Sequence, residues 1–390
     1  MSTYNFDEII ERKGTSSVKH DMMNRDFGRN DLLPMWVADM DFRSPDFVMD
    51  AIRKRCEHEV LGYTYGSRSY FEAIINWFAN HYDIKAEKEE LHYIPGIVAG
   101  IAFAIQSFTN VGDSILITTP VYPPFVHLPL SNARNLVCSP LSIKNGRFEI
   151  DFSDLEEKAK GCKLMILSNP HNPAGTIWSK EELKKIADIC AANNCVVISD
   201  EIHADLTLNG RKHTSFSTVS EMARDISITF IAPSKTFNIP GLGSSVCYIH
   251  NEDIRNTYFG FLEGYEVANG NVFAYIGAEA AFREGEEWLK QLKVYLQKNV
   301  DFLEAYLSQN MPKIKVVLPE ASYLAWLDFN AYNMEHNEIK SKLINDAKVA
   351  LNDGTQFGGK DYEGCFRINI GCPQSILKLA LDRIYETFGR

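Results

Sequence analysis

The sequence predicts an α/β protein in which a large domain, built on a mostly parallel sheet sandwiched by helices, is followed by a smaller α+β domain. Two observations support this prediction. Up to about residue 284, short and almost continuous apolar runs alternate with stretches of helical periodicity. After that point, a long helical pattern precedes isolated strand patterns. Buried strands that alternate with helices are typical of parallel sheets covered on both faces, and the second pattern is typical of α+β domains.

The elements of the large domain follow in chain order. SPDFVMDAIRKRCEHEV begins with a Ser-Pro helix-start signal, and YFEAIINWFANHY is a second amphipathic helix. The predicted strands, each ending in a polar or proline-bearing turn, are LHYIP, DSILITTP, CKLMILSNP, CVVISDE and SITFIAPS. Between them we expect helices at GIVAGIAFAIQSFTN and SKEELKKIADICAANN.

The smaller domain begins with a long helix at EEWLKQLKVYLQKNVDFLEAYLSQN, followed by the strand SYLAWLDF, a helix at NEIKSKLINDA and the strand CFRINI. The first forty or so residues, which end in LLPMWVADMDF, have no clear periodicity and are expected to pack as an arm. The predicted division is therefore an N-terminal arm at 1–45 that forms part of the small domain, a large domain at 46–284 and a C-terminal small domain at 285–390.

Composition excludes several classes of protein. The net charge of −11 argues against nucleic acid as a partner, and 45% hydrophobic with 23% charged residues is an ordinary globular balance. The acidic start MSTYNFDEIIERKG does not resemble a signal peptide, and the apolar runs are too short to span a membrane. The eight cysteines are scattered without a ligand-like spacing, so we expect no metal site. A cytoplasmic location is expected.

Two residues at strand ends suggest chemistry. Lys235 follows SITFIAPS, and Asp200 ends CVVIS, so both should face one crevice above the sheet. A lysine amine can bind an aldehyde cofactor covalently, and a carboxylate can keep a pyridine nitrogen protonated. Taken alone, each has a simpler explanation, because most lysines in such loops are solvated and most strand-end aspartates are turn or cap residues.

Other turns add candidates. Backbone N–H groups at Ile97 and Val98, after Gly96, could bind a phosphate, although helix capping explains that glycine equally well. Tyr122 in TTPVYPPF could stack on a flat cofactor or be an ordinary tyrosine. SNPHNPAG places Asn172 in a turn.

Two further side chains could bind polar groups of a ligand. His203 could reach a ring hydroxyl, although a lone loop histidine is more often structural or solvated. Arg367 in FRINI could bind a carboxylate with two N–H groups or lie at a solvated edge.

The order of these turns resembles a known family. GIV, VYPPF, SNPHNPAG, SDEIH, PSKTFNIPGL and FRINIGCP occur in the order seen in the fold-type I pyridoxal phosphate enzymes, the aspartate aminotransferase superfamily. LPMWVADMDF, Gly62-Tyr63 and SKTFNIPGL are similar to its cystathionine β-lyase branch. The resemblance extends from about residue 25 to the C-terminus.

The resemblance implies a role for each candidate. Lys235 would bind the cofactor covalently, Asp200 would pair with its ring nitrogen and Tyr122 would stack on the ring. The remaining roles are as follows: Asn172 and His203 at the ring hydroxyl, Ile97, Val98 and Ser234 at the phosphate, Tyr63 at the phosphate of a neighbouring subunit, and Arg367 with the Ala38 backbone at the substrate carboxylate. A homodimer with shared active sites is therefore expected.

Two positions depart from the family pattern. Ala232 replaces a phosphate-binding serine three residues before the lysine, and Gly243 replaces the arginine that transaminases carry eight residues after it. The phosphate site should therefore be less cationic.

Three functions remain open. The first is a carbon–sulfur β-lyase that converts L-cystathionine, L-cysteine or S-conjugates to pyruvate, ammonia and a thiol. The second is an aminotransferase, which uses the same groups but needs a 2-oxo acid. The third is a non-catalytic ligand-binding protein, which would be colourless.

Overall fold

The computed structural model describes residues 3–389. Its N-terminal part contains short elements that precede two longer helices: α1 Val18–Asp21, α2 Met23–Phe27, β1 Leu33–Pro34, α3 Asp46–Cys56 and α4 Arg68–Tyr82. β1 pairs in parallel with Val349–Ala350, so the arm is joined to the C-terminal part of the chain. Between α3 and α4, residues 57–66 have no regular secondary structure.

The middle of the chain forms a seven-stranded sheet with helices between its strands. The elements are β2 Leu91–Ile94, α5 Ile97–Phe108, β3 Ser114–Thr119, α6 Pro123–Ser131, β4 Asn135–Pro140, β5 Ser142–Lys144, β6 Arg147–Glu149, α7 Phe152–Ala159, β7 Cys162–Ser168, α8 Lys180–Ala192, β8 Val196–Asp200, α9 Glu221–Asp225, β9 Ser227–Ile231, α10 Pro233–Thr236, β10 Ser245–Tyr248, α11 Glu252–Gly264 and α12 Val272–Glu284. The strand order is β2-β10-β9-β8-β7-β3-β4. Only β10 runs antiparallel to its neighbours in this sheet, which confirms the prediction of a mostly parallel sheet.

The pattern of β7 shows why this sheet is buried on both faces. Leu164 and Ile166 pack into the cluster beneath α5 and α11, whereas Met165 and Leu167 pack into the cluster beneath α7 and α8. Successive side chains of a strand point to opposite faces, so a strand covered on both faces must be apolar at every position. This explains the continuous apolar run.

The C-terminal part forms a second sheet and its helices. The elements are α13 Glu286–Asn310, β11 Lys315–Val317, β12 Leu324–Asp328, α14 His336–Asn345, β13 Val349–Ala350, β14 Asn352–Asp353, β15 Cys365–Asn369 and α15 Gln374–Phe388. The strand order is β11-β12-β15-β14 with antiparallel pairing throughout. β15 therefore lies inside the sheet, between β12 and β14.

The structure adds elements to the sequence prediction. β4, the β5–β6 hairpin, β10, α11 and α12 were not predicted, and the helix predicted from Ser44 to Val60 ends at Cys56. The boundary expected near residue 285 falls between α12 and α13. However, the largest apolar cluster includes side chains from α3, α4, α12, α13 and β12, so the core continues across that boundary. The division into domains stays a prediction.

Across residues 3–389, no helix has both the length and the apolar composition that crossing a membrane requires.

Candidate active site

A cavity of about 190 Å³ lies where the strands of the large sheet end. The carboxyl ends of β7 and β8, the N-terminus of α5 and the turn at α10 all contribute to it, as parallel topology predicts. Nine of the eleven predicted site residues line it: Ala38, Ile97, Val98, Tyr122, Asn172, Asp200, His203, Ser234 and Lys235.

Lys235 lies on the single turn of α10, which begins at Pro233 directly after β9. Proline suits the first position of a helix, because its fixed φ is helical and no N–H is needed there. The Lys235 Nζ donates a hydrogen bond of 2.6 Å to the Ala38 carbonyl. Burial lowers the pKa of this amine to about 8, so an appreciable neutral fraction exists near neutral pH.

Asp200 ends β8, and its side chain is buried in the cavity wall. Its Oδ1 accepts a hydrogen bond of 3.1 Å from the Ile202 backbone N–H. Burial raises the pKa of this carboxyl to about 7. Within residues 3–389, no cation lies at ion-pair distance from Asp200. Such a carboxyl is suited to a cationic ligand group.

The neighbouring acid behaves differently. The Glu201 carboxylate accepts hydrogen bonds from Ser199 Oγ, the Phe216 N–H and the His213 ring, each at 2.8 Å. It therefore anchors the chain beneath the cavity and does not face it.

Three side chains surround the cavity on other sides. Tyr122 caps α6, and burial raises the pKa of its hydroxyl. His203 is buried, and its Nδ1 has no hydrogen-bond partner among residues 3–389. Burial together with the charge of Lys235 lowers its pKa to about 3. The imidazole is therefore neutral at neutral pH and has an unused ring nitrogen. Asn172 is held by its N–H, which donates to Ser168 Oγ at 3.1 Å.

The N-terminus of α5 and Gly243 also line the cavity. Helix α5 has twelve residues and begins at Ile97, so its first N–H groups are available to an anion. Gly243 has a left-handed φ of 60°, and a Cβ added there would lie 3.2 Å from the Pro95 carbonyl. An arginine at this position would strain the backbone. This accounts for one of the two departures from the family pattern.

Arg367 lies behind the cavity rather than in its lining. It is in β15, inside the small sheet, and is 3% exposed, so it is not a solvated edge residue. Its Nη1 donates to Asn172 Oδ1 at 3.1 Å, and its guanidinium lies over the Phe357 ring at 5.1 Å. Burial lowers its pKa to about 10. No carboxylate of residues 3–389 pairs with it.

Tyr63 lies outside the cavity, in the irregular segment 57–66, where its side chain is fully exposed. It is not among the residues that line the cavity. Its predicted role toward a neighbouring subunit stays a prediction.

The sequence did not identify several side chains that hold the site. Tyr323 Oη donates to the Ala38 carbonyl at 3.0 Å, beside the Lys235 amine. Asn352 and the Trp36 carbonyl bind Arg367. The only signal that could have found Asn352 is its register with Arg367 across β14 and β15, which one sequence does not provide.

Comparison with known proteins places this geometry in a family. Residues 31–384 match the family of class I and II aminotransferases. Cystathionine beta-lyase PatB of Bacillus subtilis (strain 168) is 42% identical over 382 residues, which cover 97% of this chain and 98% of PatB.

Two solved structures share the whole fold. Cystalysin from Treponema denticola, which contains a pyridoxal 5′-phosphate cofactor, has a TM-score of 0.95 and 33% identity, with 99% of each chain covered. The pyridoxal phosphate-bound C–S lyase from Staphylococcus hominis has a TM-score of 0.93 and 35% identity, and the match covers 100% of this chain and 99% of that one. The chain described here belongs to the class I and II aminotransferase family, in the fold-type I branch that includes PatB.

Proposed function

We propose that this protein is a pyridoxal phosphate-dependent carbon–sulfur β-lyase that cleaves L-cystathionine, L-cysteine or related S-conjugates to pyruvate, ammonia and a thiol. The observation that carries the proposal is the placement of a half-buried lysine, Lys235, and a buried aspartate, Asp200, in the wall of one cavity. The similarity to PatB and to the S. hominis C–S lyase over almost the whole chain supports the lyase reaction.

The residues of the cavity fit the cofactor. Asp200 has no counter-ion in the described chain, and a protonated pyridine nitrogen would supply one. The unpartnered Nδ1 belongs to His203, whose ring could bond the ring hydroxyl together with Asn172. The N–H groups of Ile97 and Val98 at the start of α5, with Ser234, would hold the phosphate. Tyr122 would stack on the ring.

When bound, pyridoxal phosphate would withdraw electrons from the substrate α-carbon, which would make its proton acidic and allow the freed electron pair to expel a thiolate from the neighbouring β-carbon. Asp200 would maintain that property by keeping the ring nitrogen protonated. Lys235 would hold the cofactor between turnovers and would take the proton from the α-carbon. Its lowered pKa of about 8 suits a general base near neutral pH.

Arg367 would bind the substrate carboxylate beside the Ala38 backbone. A buried guanidinium without a carboxylate partner is costly unless a ligand anion pairs with it. Arg367 meets that description, since its acceptors in residues 3–389 are two amide oxygens and one backbone carbonyl.

We further infer a homodimer with composite active sites and a cytoplasmic location. The support for the dimer is the exposed irregular segment 57–66, in which Val60, Leu61, Tyr63 and Tyr65 are all more than 60% exposed. Contiguous exposed apolar side chains are typical of protein interfaces. Tyr63 would then reach the phosphate in the partner subunit. Sedimentation that finds an active monomer would contradict the dimer.

One assay tests the reaction. Purified protein receives L-cystathionine without any 2-oxo acid, and pyruvate is followed over many turnovers. A lyase continues to release pyruvate. A pure aminotransferase stops after one equivalent and resumes when 2-oxoglutarate is added, and that result would replace the lyase with the aminotransferase. Borohydride reduction and peptide mapping should place the pyridoxyl group on Lys235, and a colourless protein would contradict both enzymatic functions.

A further inference from the structure

Arg367 donates hydrogen bonds to three acceptors, and it cannot keep all three while it binds a carboxylate at two points. Both hydrogens of Nη2 are in use, one with the Trp36 carbonyl at 3.0 Å and one with Asn352 Oδ1 at 2.5 Å. One hydrogen of Nη1 is bonded to Asn172 Oδ1. The Nε–H is buried and has no partner among residues 3–389. Within that part of the chain, the free hydrogens of the guanidinium are therefore the Nε–H and one on Nη1.

The geometry of guanidinium restricts how these hydrogens can be used. A carboxylate that accepts two parallel bonds binds either the edge formed by Nε and Nη2 or the edge formed by Nη1 and Nη2. Each edge includes one hydrogen of Nη2, and the two free hydrogens do not share an edge. A two-point contact to a substrate carboxylate therefore requires that Nη2 loses one of its present partners.

The two partners of Nη2 differ in how easily they can move. The backbone on both sides of Trp36 is fixed, because the Met35 N–H donates to the Ala350 carbonyl at 2.9 Å and Asn369 Nδ2 donates to the Val37 carbonyl at 2.6 Å. The Trp36 carbonyl cannot withdraw without breaking these bonds.

Asn352, in contrast, accepts through a rotatable side chain. Its backbone is fixed by pairing with Arg367, but the structure gives its Nδ2 group no partner in residues 3–389. The side chain lines a second cavity of about 120 Å³, which Trp36, Leu343 and Phe366 also line. This cavity has room for the amide once it leaves the guanidinium.

We propose that Asn352 is a displaceable partner of Arg367: its amide oxygen occupies the Nη2 hydrogen that a substrate carboxylate takes, and it turns toward the second cavity when substrate binds. This inference rests on the proposed carboxylate-binding role of Arg367. Asn352 touches neither substrate nor cofactor and acts through Arg367, so it is a positioning residue that sets the affinity for carboxylate-bearing substrates.

The test compares two small amines on the cofactor-loaded protein. L-Alanine has no β-leaving group and carries a carboxylate, whereas ethylamine is the same amine without the carboxylate. The absorbance of the bound cofactor gives a dissociation constant for each. The variants are Asn352→Ala, Asn352→Ser and Asn352→Asp, with Arg367→Ala as the control for the role of the arginine.

Removing the displaceable oxygen should favour the ligand. Asn352→Ala and Asn352→Ser are expected to bind L-alanine about fivefold more tightly than the unmodified protein, because the ligand no longer competes with a hydrogen bond worth about 1 kcal/mol. Asn352→Asp is expected to weaken the binding of L-alanine at least about tenfold, because the aspartate carboxylate would itself pair with Arg367 and compete with the ligand. The dissociation constant of ethylamine should change less than about twofold in all three variants, since ethylamine lacks the carboxylate that Arg367 binds.

Each other outcome has a distinct meaning. Unchanged or weaker binding of L-alanine by both Asn352→Ala and Asn352→Ser would overturn the proposal, because Asn352 would then be a fixed anchor. An equal change for ethylamine would also overturn it, since the effect would not involve the carboxylate. If Arg367→Ala leaves the affinity for L-alanine unchanged relative to ethylamine, the role of Arg367 itself is wrong.

Discussion

Two groups of buried or half-buried charges differ in whether the protein supplies them with ion-pair partners. One is the N-terminal ion cluster, defined as Arg12, Lys19, Asp39 and Asp41. The other is the set of cavity charges, defined as Lys235 and Asp200 in the cavity wall together with Arg367 behind it. In the cluster, Lys19 is only 1% exposed and its Nζ lies 2.6 Å from Asp41 Oδ2. Arg12 bonds both acids, at 2.6 and 2.7 Å.

The shifts in pKa reflect this difference. Burial acts against the charged form of Asp41, but the charge of Lys19 and its neighbours outweighs it and lowers the pKa of that carboxyl well below its usual range. In the cavity, burial is not compensated, so the pKa values of Asp200, Lys235 and Arg367 all move toward the neutral form. Burial therefore leaves a group charged where the protein supplies an ion-pair partner, and favours the neutral form where it does not. Paired charges stabilise the fold, and unpaired ones are left for a ligand.

The largest expected effect is the loss of turnover when Lys235 is removed. Lys235→Ala should lower the rate of pyruvate release by at least about 10³-fold, because it removes both the proposed covalent attachment and the proposed general base. The apparent melting temperature of the cofactor-free protein should change little, since the Lys235 amine forms no ion pair with residues 3–389 and desolvation disfavours its charged form. Turnover assays and thermal melts measure the two effects.

Lys158→Ala is the matched control for Lys235→Ala. The Lys158 Nζ also donates to a backbone carbonyl, that of Cys138, at 2.6 Å, but it lies outside the cavity and pairs with Asp154. That variant should keep its colour and its turnover. If Lys235→Ala retained turnover, or if the two variants behaved alike, the distinction between the two kinds of charge would be wrong.

The second prediction concerns the cluster. Asp41→Asn should lower the free energy of unfolding by about 3 kcal/mol, because it leaves Lys19 buried without its closest partner. Denaturant titration measures the change. Asp31→Asn is the control, since Asp31 forms a solvent-exposed pair with Arg29 and its removal should change the free energy of unfolding far less. Equal effects in the two variants would show that burial of the pair does not matter.

The sequence predicted the cavity charges but not the cluster. Lys235 and Asp200 follow apolar strands, and the carboxyl ends of parallel strands meet at one edge of a sheet, so their proximity could be predicted. Lys19 and Asp41, in contrast, lie in a segment without periodicity, and nothing local in the sequence indicates that they are buried together.

The sequence also predicted some of the strands of the large sheet and missed others. Strands buried on both faces leave a continuous apolar run, so β2, β3, β7, β8 and β9 were found. β4 and β10 were missed: the run of β4 is half-exposed along most of its length, and β10 follows a loop rich in glycine and serine. The acceptors of Arg367 depend on pairing between distant segments, which local sequence patterns do not encode.

The third prediction concerns a variant that removes the charge of Asp200 without changing the size of the side chain. Asp200→Asn should lower turnover about 10²-fold while the protein still binds the cofactor, because a neutral amide does not favour the protonated ring nitrogen. Absorbance measures cofactor content and pyruvate release measures turnover. Glu201→Gln is a useful contrast, since Glu201 is equally buried but anchors the chain through Ser199, His213 and Phe216. It should lose stability rather than turnover per folded molecule. Near-normal turnover of Asp200→Asn would exclude its proposed role.

The fourth prediction uses pH to compare Asp200 and Asp41 in the cofactor-free protein. The folded pKa of Asp200, about 7, is above the ordinary value of 3.8, so between these values the unfolded chain loses its proton while the folded chain keeps it. Stability should therefore fall as pH rises from about 4 to about 7. Asp41 has a lowered folded pKa, so its contribution is present above pH 4 and is lost as pH falls below it.

The two variants should therefore change the pH dependence of stability in opposite directions. Relative to the unmodified protein, Asp200→Asn should gain stability between pH 4.5 and pH 7.5 by about 2 kcal/mol, less than the full shift because a buried site relaxes when it ionises. Asp41→Asn should instead lose less stability than the unmodified protein as the pH falls below 4. Denaturant titrations at a series of pH values measure both differences. If the stability of Asp200→Asn runs parallel to that of the unmodified protein throughout, Asp200 is charged in the fold without a ligand, and the cavity charges do not differ from the cluster in the way described here.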